Sequence, residues 1–412
     1  MRRFPDGFLF GVATSGHQTE GDNTSSDTWF LEGVRPTVFT EPSGRACNSW
    51  ELWREDLDLV QALGVDAFRF SLEWARIEPN EGTFSSEALQ HYAAIVDGCA
   101  QRGLAPVVTL NHMTSPHWFA KRGGWLDPAA PALFARYCDR VMDHLGDRVT
   151  AAVTLNEPNL PELLSWVDPP ASVRELERAT LEAAGAAAGV PRYRVSNIVL
   201  PEELDAMRDG MTAGHLAARE AIKARRPGLP VGLSIAIVDD RVAGDDPALR
   251  DRKRAEVYDY WLRLARDDDF IGIQNYESAV YDAERLLPPP PAAALNQFGS
   301  AADPGSLGGA VRYAHEVSGV PVFVTEHGIG TGDDTLRAGF IEQSLAGLLD
   351  VTESGVPVFG YCHWTLLDNF EWAGGYTFHF GLHTVDRETF SRSPKPSAGA
   401  YAAIATSRTV KD

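Results

Sequence analysis

The segments AAVTLNEP (151–158) and PVFVTEHG (321–328) decide the fold of this chain. In each segment, a run of β-branched and other apolar residues leads directly to a glutamate, Glu157 or Glu326. The next residues end the strand or allow a tight turn, as when a buried parallel strand delivers a side chain to the mouth of a barrel. We therefore predict that the two carboxylates converge on one bond, and paired carboxylates with different protonation states are suited to cleaving glycosides.

Six further strand-like runs surround these two, and helix-period segments separate most of the eight. The runs are LFGVATS (9–15), DAFRFSL (66–72), PVVTLN (106–111), VGLSIAI (231–237), FIGIQN (270–275) and PVFGYCHW (357–364). Two of the helical segments, 50–64 and 85–103, end in a glycine, which is typical of a helix C-terminus. The repeated alternation of strand and helix predicts a parallel α/β architecture.

Polar or aromatic residues stand at or near the carboxyl end of nearly every run. They are Gln18, Arg69, His112, Glu157, Tyr276, Glu326 and Trp364. Functional groups at strand C-termini are typical of a (β/α)8 TIM barrel. We predict one such α/β domain over residues 1–412, with long βα loops at 158–201 and 283–309. A doubly wound open sheet is the alternative fold, but no GxGxxG motif follows the first strand.

The composition favours an acidic enzyme. The 412 residues are 44% hydrophobic and 23% charged, which suits a soluble globular protein with a large core. The formal charge of −20 argues against nucleic acid or an anionic membrane surface as a partner. The negative net charge also argues against a phosphorylated substrate.

The cysteines and the N-terminus predict a cytoplasmic protein without a metal site. Cys47, Cys99, Cys138 and Cys362 are far apart and show no CxxC or Cys/His spacing, so we expect reduced, mostly buried thiols. No stretch has the hydropathy of a signal peptide or of a transmembrane helix.

A set of ordered motifs carries a resemblance to a known family. The motifs are FPDGFLFGVATSGHQTEG, FRFSLEWARIEP, TLNHMTSPHW, TLNEP, FIGIQNY, VTEHG and GYCHWTLLDNFEW. Over nearly its whole length the chain resembles glycoside hydrolase family 1, the β-glucosidase and β-galactosidase family. The resemblance implies a TIM barrel that cleaves β-glycosides with retention and needs no cofactor. It further implies that Glu157 is the acid/base and Glu326 the nucleophile, with carboxyl groups roughly 5–5.5 Å apart.

Glu326 would need cationic and hydroxyl neighbours to stay ionised in an apolar site. Arg69, inside an otherwise apolar strand, is the natural partner, and Tyr276 is the matching hydrogen-bond donor. The alternative for Arg69 is a structural ion pair with an acid such as Glu73. The resemblance implies that Asn156 hydrogen-bonds the 2-hydroxyl of the sugar.

The resemblance assigns the first sugar subsite to a polar and aromatic group. Its members are Gln18, His112, Asn156, Trp364, Glu371 and Trp372. Glu371 can accept hydrogen bonds from two adjacent hydroxyls, and indole rings match the apolar faces of a pyranose. The alternative is that His112 and the two tryptophans are ordinary core residues. Because the segment DNFEWAGGY keeps Glu371 and Trp372, we expect unphosphorylated sugars.

Three residues depart from the family pattern, namely Gln274, His327 and His379, and the chain is shorter than most members on either side of Tyr276. We expect these changes to reshape the site that holds the leaving group and to admit a bulky aglycone. One hypothesis is that His327 titrates near neutrality and tunes Glu326.

The sequence thus predicts a retaining exo-β-glycosidase acting on small-molecule β-D-glucosides, with galactosides or fucosides as further substrates. A transglycosidase with the same chemistry is the nearest alternative. A catalytically silent sugar-binding barrel and an inverting hydrolase, with carboxylates more than about 6.5 Å apart, are the others. Oligomeric state is left open.

Overall fold

Eight parallel strands close into a barrel in the computed structural model, which describes residues 1–167 and 169–411. Each strand pairs with the next in sequence, and the eighth pairs with the first. The strands are β1 (Leu9–Ala13), β2 (Ala67–Ser71), β3 (Ala105–Asn111), β4 (Ala151–Asn156), β5 (Val231–Ala236), β6 (Phe270–Asn275), β7 (Val322–His327) and β8 (Val358–Trp364). The predicted (β/α)8 barrel is confirmed, and the open sheet was the wrong alternative.

Helices surround the barrel. Within the described residues the α-helices are Gly16–Thr19, Asp27–Gly33, Ser49–Ala62, Trp74–Ile77, Ser86–Gln101, His117–Lys121, Ala130–Leu145, Leu160–Ser165, Ala171–Ala188, Leu204–Arg225, Ala248–Val257, Asp259–Leu264, Ser306–Ser318, Asp334–Glu353 and Pro396–Ser407. Short strands outside the barrel are Arg2–Arg3, Asp239–Val242, Ser278–Tyr281, His383–Val385, Arg392–Pro394 and Thr409–Val410. No helix in the described ranges combines the length and hydropathy that a bilayer-spanning segment requires.

The predicted glycine stops end the helices as expected. Gly64 and Gly103 have φ values of 65° and 71°, in the left-handed region that glycine adopts without a Cβ clash. A Cβ at Gly64 would also approach the Thr406 hydroxyl to 2.5 Å. The first helix of the pair, Ser49–Ala62, buries Trp53, Leu57 and Val60 on its inner face.

The strands are buried on both faces, which explains why the predicted runs are continuously apolar. Side chains inside the barrel form one cluster: Ala13, Val107, Ala151, Val153, Phe270, Phe323, Cys362 and Trp364, and Phe380 from the connection after β8 packs against them. A larger cluster lies between the strands and the helices and includes Val108, Ile271, Val324 and Leu345. All four cysteines are buried and free of disulfides, as predicted.

The two strands that end at the glutamates each contain a register shift just before the glutamate. In β7 the shift lies between Val324 and Glu326, and in β4 it lies between Val153 and Asn156. Phe323 belongs to the cluster inside the barrel, yet His327, four residues later, packs outside against Phe340. An unbroken strand would put both on the same face, so the shift reverses the side-chain alternation. As a result Glu326 points into the barrel.

The two predicted long loops both follow carboxyl ends of barrel strands. The first contains the helices Leu160–Ser165 and Ala171–Ala188. The second, 283–309, follows the short strand Ser278–Tyr281 and leads into the helix Ser306–Ser318, which begins within its last residues. Both therefore lie at the rim of the barrel that carries Glu157 and Glu326.

Candidate active site

Glu157 follows the last residue of β4 with a backbone conformation that few non-glycine residues adopt. Its φ is 48°, and its amide donates to the Ser234 carbonyl oxygen over 2.7 Å. A left-handed glutamate costs conformational free energy, so the surrounding contacts must hold it in place. Such strain is often found where a side chain must be aimed at a substrate.

Glu326 is buried and receives hydrogen bonds on both carboxylate oxygens. Arg69 Nη1 donates to Oε1 over 2.6 Å, and Gln274 Nε2 donates to the same oxygen over 2.9 Å. The Tyr276 hydroxyl donates to Oε2 over 2.7 Å. The predicted neighbours Arg69 and Tyr276 are therefore in contact with Glu326, and each of these hydrogen bonds favours the ionised carboxylate.

Arg69 joins four barrel strands. Besides Glu326, its guanidinium donates to the Asn156 side-chain oxygen over 2.6 Å, to the Thr109 hydroxyl over 3.1 Å and to the Thr325 carbonyl over 3.2 Å. A fully buried guanidinium is costly unless its donors are paired, and here they are. The alternative ion pair with Glu73 is not formed, because Glu73 instead accepts from Asn23, Thr114 and the His17 amide.

Gln274 lies closer to the reacting groups than the sequence analysis expected. We expected it to affect the leaving-group site, but its Nε2 contacts Glu326 and also lies 2.6 Å from Asn156 Oδ1. The alternation of side chains along β6 could have indicated this contact. Phe270 lies inside the barrel, and Gln274, four residues further along the same strand, is expected on the same face. Register places Gln274 directly beside Glu326.

The two glutamates differ in their electrostatic surroundings. Burial raises the pKa of Glu157 well above its ordinary value, the negative charge of Glu326 raises it further, and Arg69 opposes both. Burial also raises the pKa of Glu326, but Arg69 and the Tyr276 hydroxyl act against it. The hydrogen bonds to Glu326 from Arg69, Gln274 and Tyr276 therefore favour ionisation of Glu326 before Glu157.

The polar and aromatic residues predicted to bind sugar lie together beside Glu326. His112 Nε2 is 4.0 Å from Glu326 Oε1, and its ring is nearly parallel to Trp364 and Trp372, with centroids at 5.7 and 6.3 Å. Burial and the negative charge of Glu326 raise the pKa of Glu371 well above its ordinary value, and the neighbouring side chains of Trp364 and Gln18 act against this rise. Burial lowers the pKa of His112 well below its ordinary value, so its imidazole is neutral.

Several polar atoms around Glu326, in the sugar-binding group and in Gln274, are buried without a hydrogen-bond partner among the described residues. They are Asn156 Nδ2, His112 Nδ1, Gln274 Oε1 and Glu371 Oε1. Buried polar atoms are nearly always paired in folded proteins, so unpaired donors and acceptors gathered in one place suit a polyhydroxylated ligand. Across residues 1–167 and 169–411, no cluster of three or more His, Cys, Asp or Glu side chains has the geometry to hold a metal ion.

The hypothesis about His327 is wrong. Its side chain points out of the barrel, where its ring stacks on Phe340 and its Nδ1 lies 3.1 Å from the Tyr361 hydroxyl. Burial lowers the pKa of His327 to about 3, so the imidazole is neutral throughout the physiological range. His379, the third departure, is half-buried, with its Nδ1 3.7 Å from Asp368 Oδ2.

The chain matches one protein family and is similar to several known β-glycosidases. The family model described as glycosyl hydrolase family 1 matches residues 1–180 and 261–410. A β-glucosidase from Agrobacterium sp. is 32% identical over 452 residues, which cover 98% of this chain and 95% of that protein. A bifunctional β-D-glucosidase/β-D-fucosidase from Bifidobacterium breve is 30% identical and covers 97% of each. The crystal structure of a β-glycosidase, BGL167, has a TM-score of 0.92 at 43% identity and covers 99% of this chain and 98% of that one.

Proposed function

Because the chain belongs to glycosyl hydrolase family 1, we propose that it is a retaining, exo-acting β-glycosidase whose main substrates are β-D-glucosides. That it is a glycoside hydrolase follows from the family and from the relatives. The family supports retention, and the observation that supports the division into nucleophile and acid is the unequal hydrogen bonding of the two glutamates. Glu326 receives three hydrogen bonds, whereas the pKa of Glu157 is raised well above its ordinary value by burial and by the charge of Glu326.

In the first step, a Glu326 carboxylate oxygen attacks the anomeric carbon and forms an ester with the sugar. The bond between that carbon and the glycosidic oxygen breaks, and Glu157 gives its proton to the departing oxygen. In the second step, Glu157 removes a proton from water, and the resulting hydroxide displaces Glu326. The sugar leaves with its original anomeric configuration, and both carboxyl groups return to their starting states.

The neighbours and the charge of Glu326 affect both steps of this cycle. Arg69 and Tyr276 keep the carboxylate ionised for attack and orient its two oxygens. As Glu326 loses its charge in the ester, the pKa of Glu157 falls, since part of its rise comes from that charge. Glu157 therefore becomes a better base at the point where water must be deprotonated.

The sugar subsite is proposed to consist of Gln18, His112, Asn156, Glu371 and Trp372, with Trp364 as the apolar floor. The unpaired Asn156 Nδ2 supports its contact with the 2-hydroxyl, and the unpaired Glu371 Oε1 supports hydrogen bonds with hydroxyls further around the ring. A phosphate would meet the buried Glu371 carboxyl and a chain of net charge −20, which favours neutral sugars.

The relatives support glucose as the main sugar. One is named a β-glucosidase and another a bifunctional β-D-glucosidase/β-D-fucosidase, so 6-deoxygalactosides are expected as further substrates. A transglycosidase remains the second candidate because the same ester can pass to an acceptor alcohol. We also propose a cytoplasmic location, which the four buried thiols support.

Trapping with 2-deoxy-2-fluoro-β-D-glucosyl fluoride tests this proposal. The fluorine slows both steps, and the good leaving group restores the first, so the ester accumulates. Peptide mass spectrometry is expected to place one fluoroglucosyl group on Glu326. No adduct, together with no turnover of aryl β-glucosides, would contradict the proposal. Product analysis in the presence of an alcohol acceptor separates hydrolysis from transglycosylation.

A further inference from the structure

A series of aromatic rings leads from the active site to the protein surface. Tyr276, whose hydroxyl donates to Glu326, contacts the Phe380 ring with a centroid distance of 5.5 Å. Phe380 lies 5.9 Å from Phe298, and Phe298 stacks on Phe378 at 4.5 Å with an interplanar angle of 28°. The series therefore begins beside the reacting carboxylate.

The outer end of the series is exposed but firmly positioned. Phe298 is 56% exposed, and Leu295 in the same loop is 50% exposed. Hydrogen bonds within the loop hold the backbone around Phe298. Asn296 Oδ1 accepts from the amides of Phe298 and Ser300, at 2.9 and 3.0 Å.

Gln297 fastens the same loop to its neighbours. Its backbone amide donates to Gly330 over 2.8 Å, its side-chain Nε2 donates to the Thr377 carbonyl over 3.2 Å, and its Oε1 accepts from the His379 amide over 2.8 Å. These polar contacts fix the loop backbone, so the exposed Phe298 ring is held in a defined position. An ordered, exposed apolar surface next to a binding site is a feature of ligand contact.

The chain topology places this surface where a leaving group must pass. Phe298 follows β6, Gly330 follows β7, and Phe378 and Phe380 follow β8. All three connections leave the carboxyl ends of barrel strands, the rim on which Glu157 and Glu326 stand. A sugar held against Glu326 at the bottom of the site directs its aglycone outward toward this rim.

We propose that Phe298 and Phe378, backed by Phe380, form an aglycone wall that binds a flat, uncharged aryl or polycyclic group. The inference rests on the proposed β-glucosidase function and names the class of aglycone. Aromatic faces attract flat apolar groups through burial of area and through stacking, and neither interaction favours a second sugar bearing hydroxyls on every edge as strongly. The aglycone wall thus favours aryl glucosides over disaccharides.

Binding of two stable thioglycosides tests the aglycone wall without depending on turnover. The probes are 2-naphthyl and methyl 1-thio-β-D-glucoside, with dissociation constants measured by calorimetry on the wild type and on Phe298→Ala. We expect the naphthyl preference to fall about five- to tenfold in Phe298→Ala, the size of one lost stacking contact. Phe298→Tyr keeps a ring and is expected to keep the preference.

The matched control is Leu286→Ala, another exposed apolar residue of this loop, which pairs with Tyr281 in an isolated bridge. It is expected to leave the naphthyl preference unchanged. An unchanged preference in Phe298→Ala would overturn the inference, as would equal losses for both probes. A shift from dimer to monomer in Phe298→Ala, seen by light scattering, would instead assign the ring to a contact between copies of the chain. Failure of the wild type to bind either probe would count against the proposed function itself.

Discussion

Gln274 Nε2 lies 2.6 Å from Asn156 Oδ1, and the same nitrogen lies 2.9 Å from Glu326 Oε1. Arg69 Nη2 also donates to Asn156 Oδ1 over 2.6 Å. With two donors on its oxygen, the Asn156 carboxamide can hold only one orientation, and its Nδ2 is left without a partner among the described residues. Gln274 therefore acts on both the attacking carboxylate and the group proposed to bind the 2-hydroxyl.

Replacement of Gln274 by methionine keeps the length of the side chain and removes both hydrogen bonds. We expect the acidic limb of the kcat/KM profile to move to higher pH, because Glu326 loses a donor that favours its ionised form. Discrimination between a glucoside and its 2-deoxy analogue should fall about five- to tenfold, as the Asn156 amide loses its fixed orientation. Gln61→Met, on an exposed helix face, is the control; a Gln274→Met variant with the wild-type profile and discrimination would contradict this role.

Tyr276→Phe removes one hydrogen bond from Glu326 and nothing else from its first contacts. The Tyr276 hydroxyl lowers the pKa of Glu326, so its loss should raise that pKa and shift the acidic limb of kcat/KM upward. We also expect kcat to fall roughly 10- to 100-fold, since the oxygens of Glu326 are less well oriented. The pH profile of Tyr260→Phe, on the outer helix Asp259–Leu264, should match the wild type. An unmoved acidic limb in Tyr276→Phe would show that the hydroxyl does not control Glu326.

Glu157→Gln should divide substrates by their leaving groups. A dinitrophenolate departs without protonation, whereas a methyl or glucosyl alcohol needs the proton of Glu157. The first step should therefore slow about 100-fold or more for the poor leaving groups and far less for the activated one. Glu162→Gln is the control, because Glu162 is also buried and burial raises its pKa to about 7, yet it lies on the helix Leu160–Ser165 beyond the site. An equal loss of rate for all substrates in Glu157→Gln would contradict the acid role of Glu157.

The same substitution should stabilise the protein above about pH 5. In the unfolded chain Glu157 ionises near its ordinary pKa, but burial and the charge of Glu326 raise its pKa in the folded state. Over the intervening pH range the folded state holds one more proton, so the free energy of unfolding falls as pH rises. Glutamine does not titrate, and thermal unfolding of Glu157→Gln should show a Tm advantage over the wild type that grows from pH 5 to pH 7. Glu55→Gln, at an exposed position, should show none.

His327→Asn is expected to change stability and leave catalysis alone. Burial lowers the pKa of His327 to about 3, and the ring faces Phe340 and Tyr361 outside the barrel. The pH profile of kcat/KM should therefore match the wild type, while the free energy of unfolding falls by about 1–3 kcal/mol through the lost stacking and hydrogen bond. A shifted profile would restore the hypothesis that His327 tunes Glu326.

Much of the fold could be read from the residues alone. The eight apolar runs became the eight barrel strands, with ends within two residues of prediction, because strands covered on both faces must be apolar throughout. Motifs at the strand ends also identified Glu157, Glu326, Arg69 and Tyr276, and the structure brings these residues together.

What the residues did not determine is which way each side chain points. Simple alternation from Phe323 would put His327 inside the barrel and Glu326 outside, and only the register shift beside Glu326 reverses this. The role of Gln274 also depends on strand register. Its contact with Glu326 forms only when β6 and β7 pair in one particular register, which the sequence does not show. Apolar periodicity reports local burial, so it determines the strands and their order; a register shift is set by pairing between neighbouring strands, and only the closed barrel decides it.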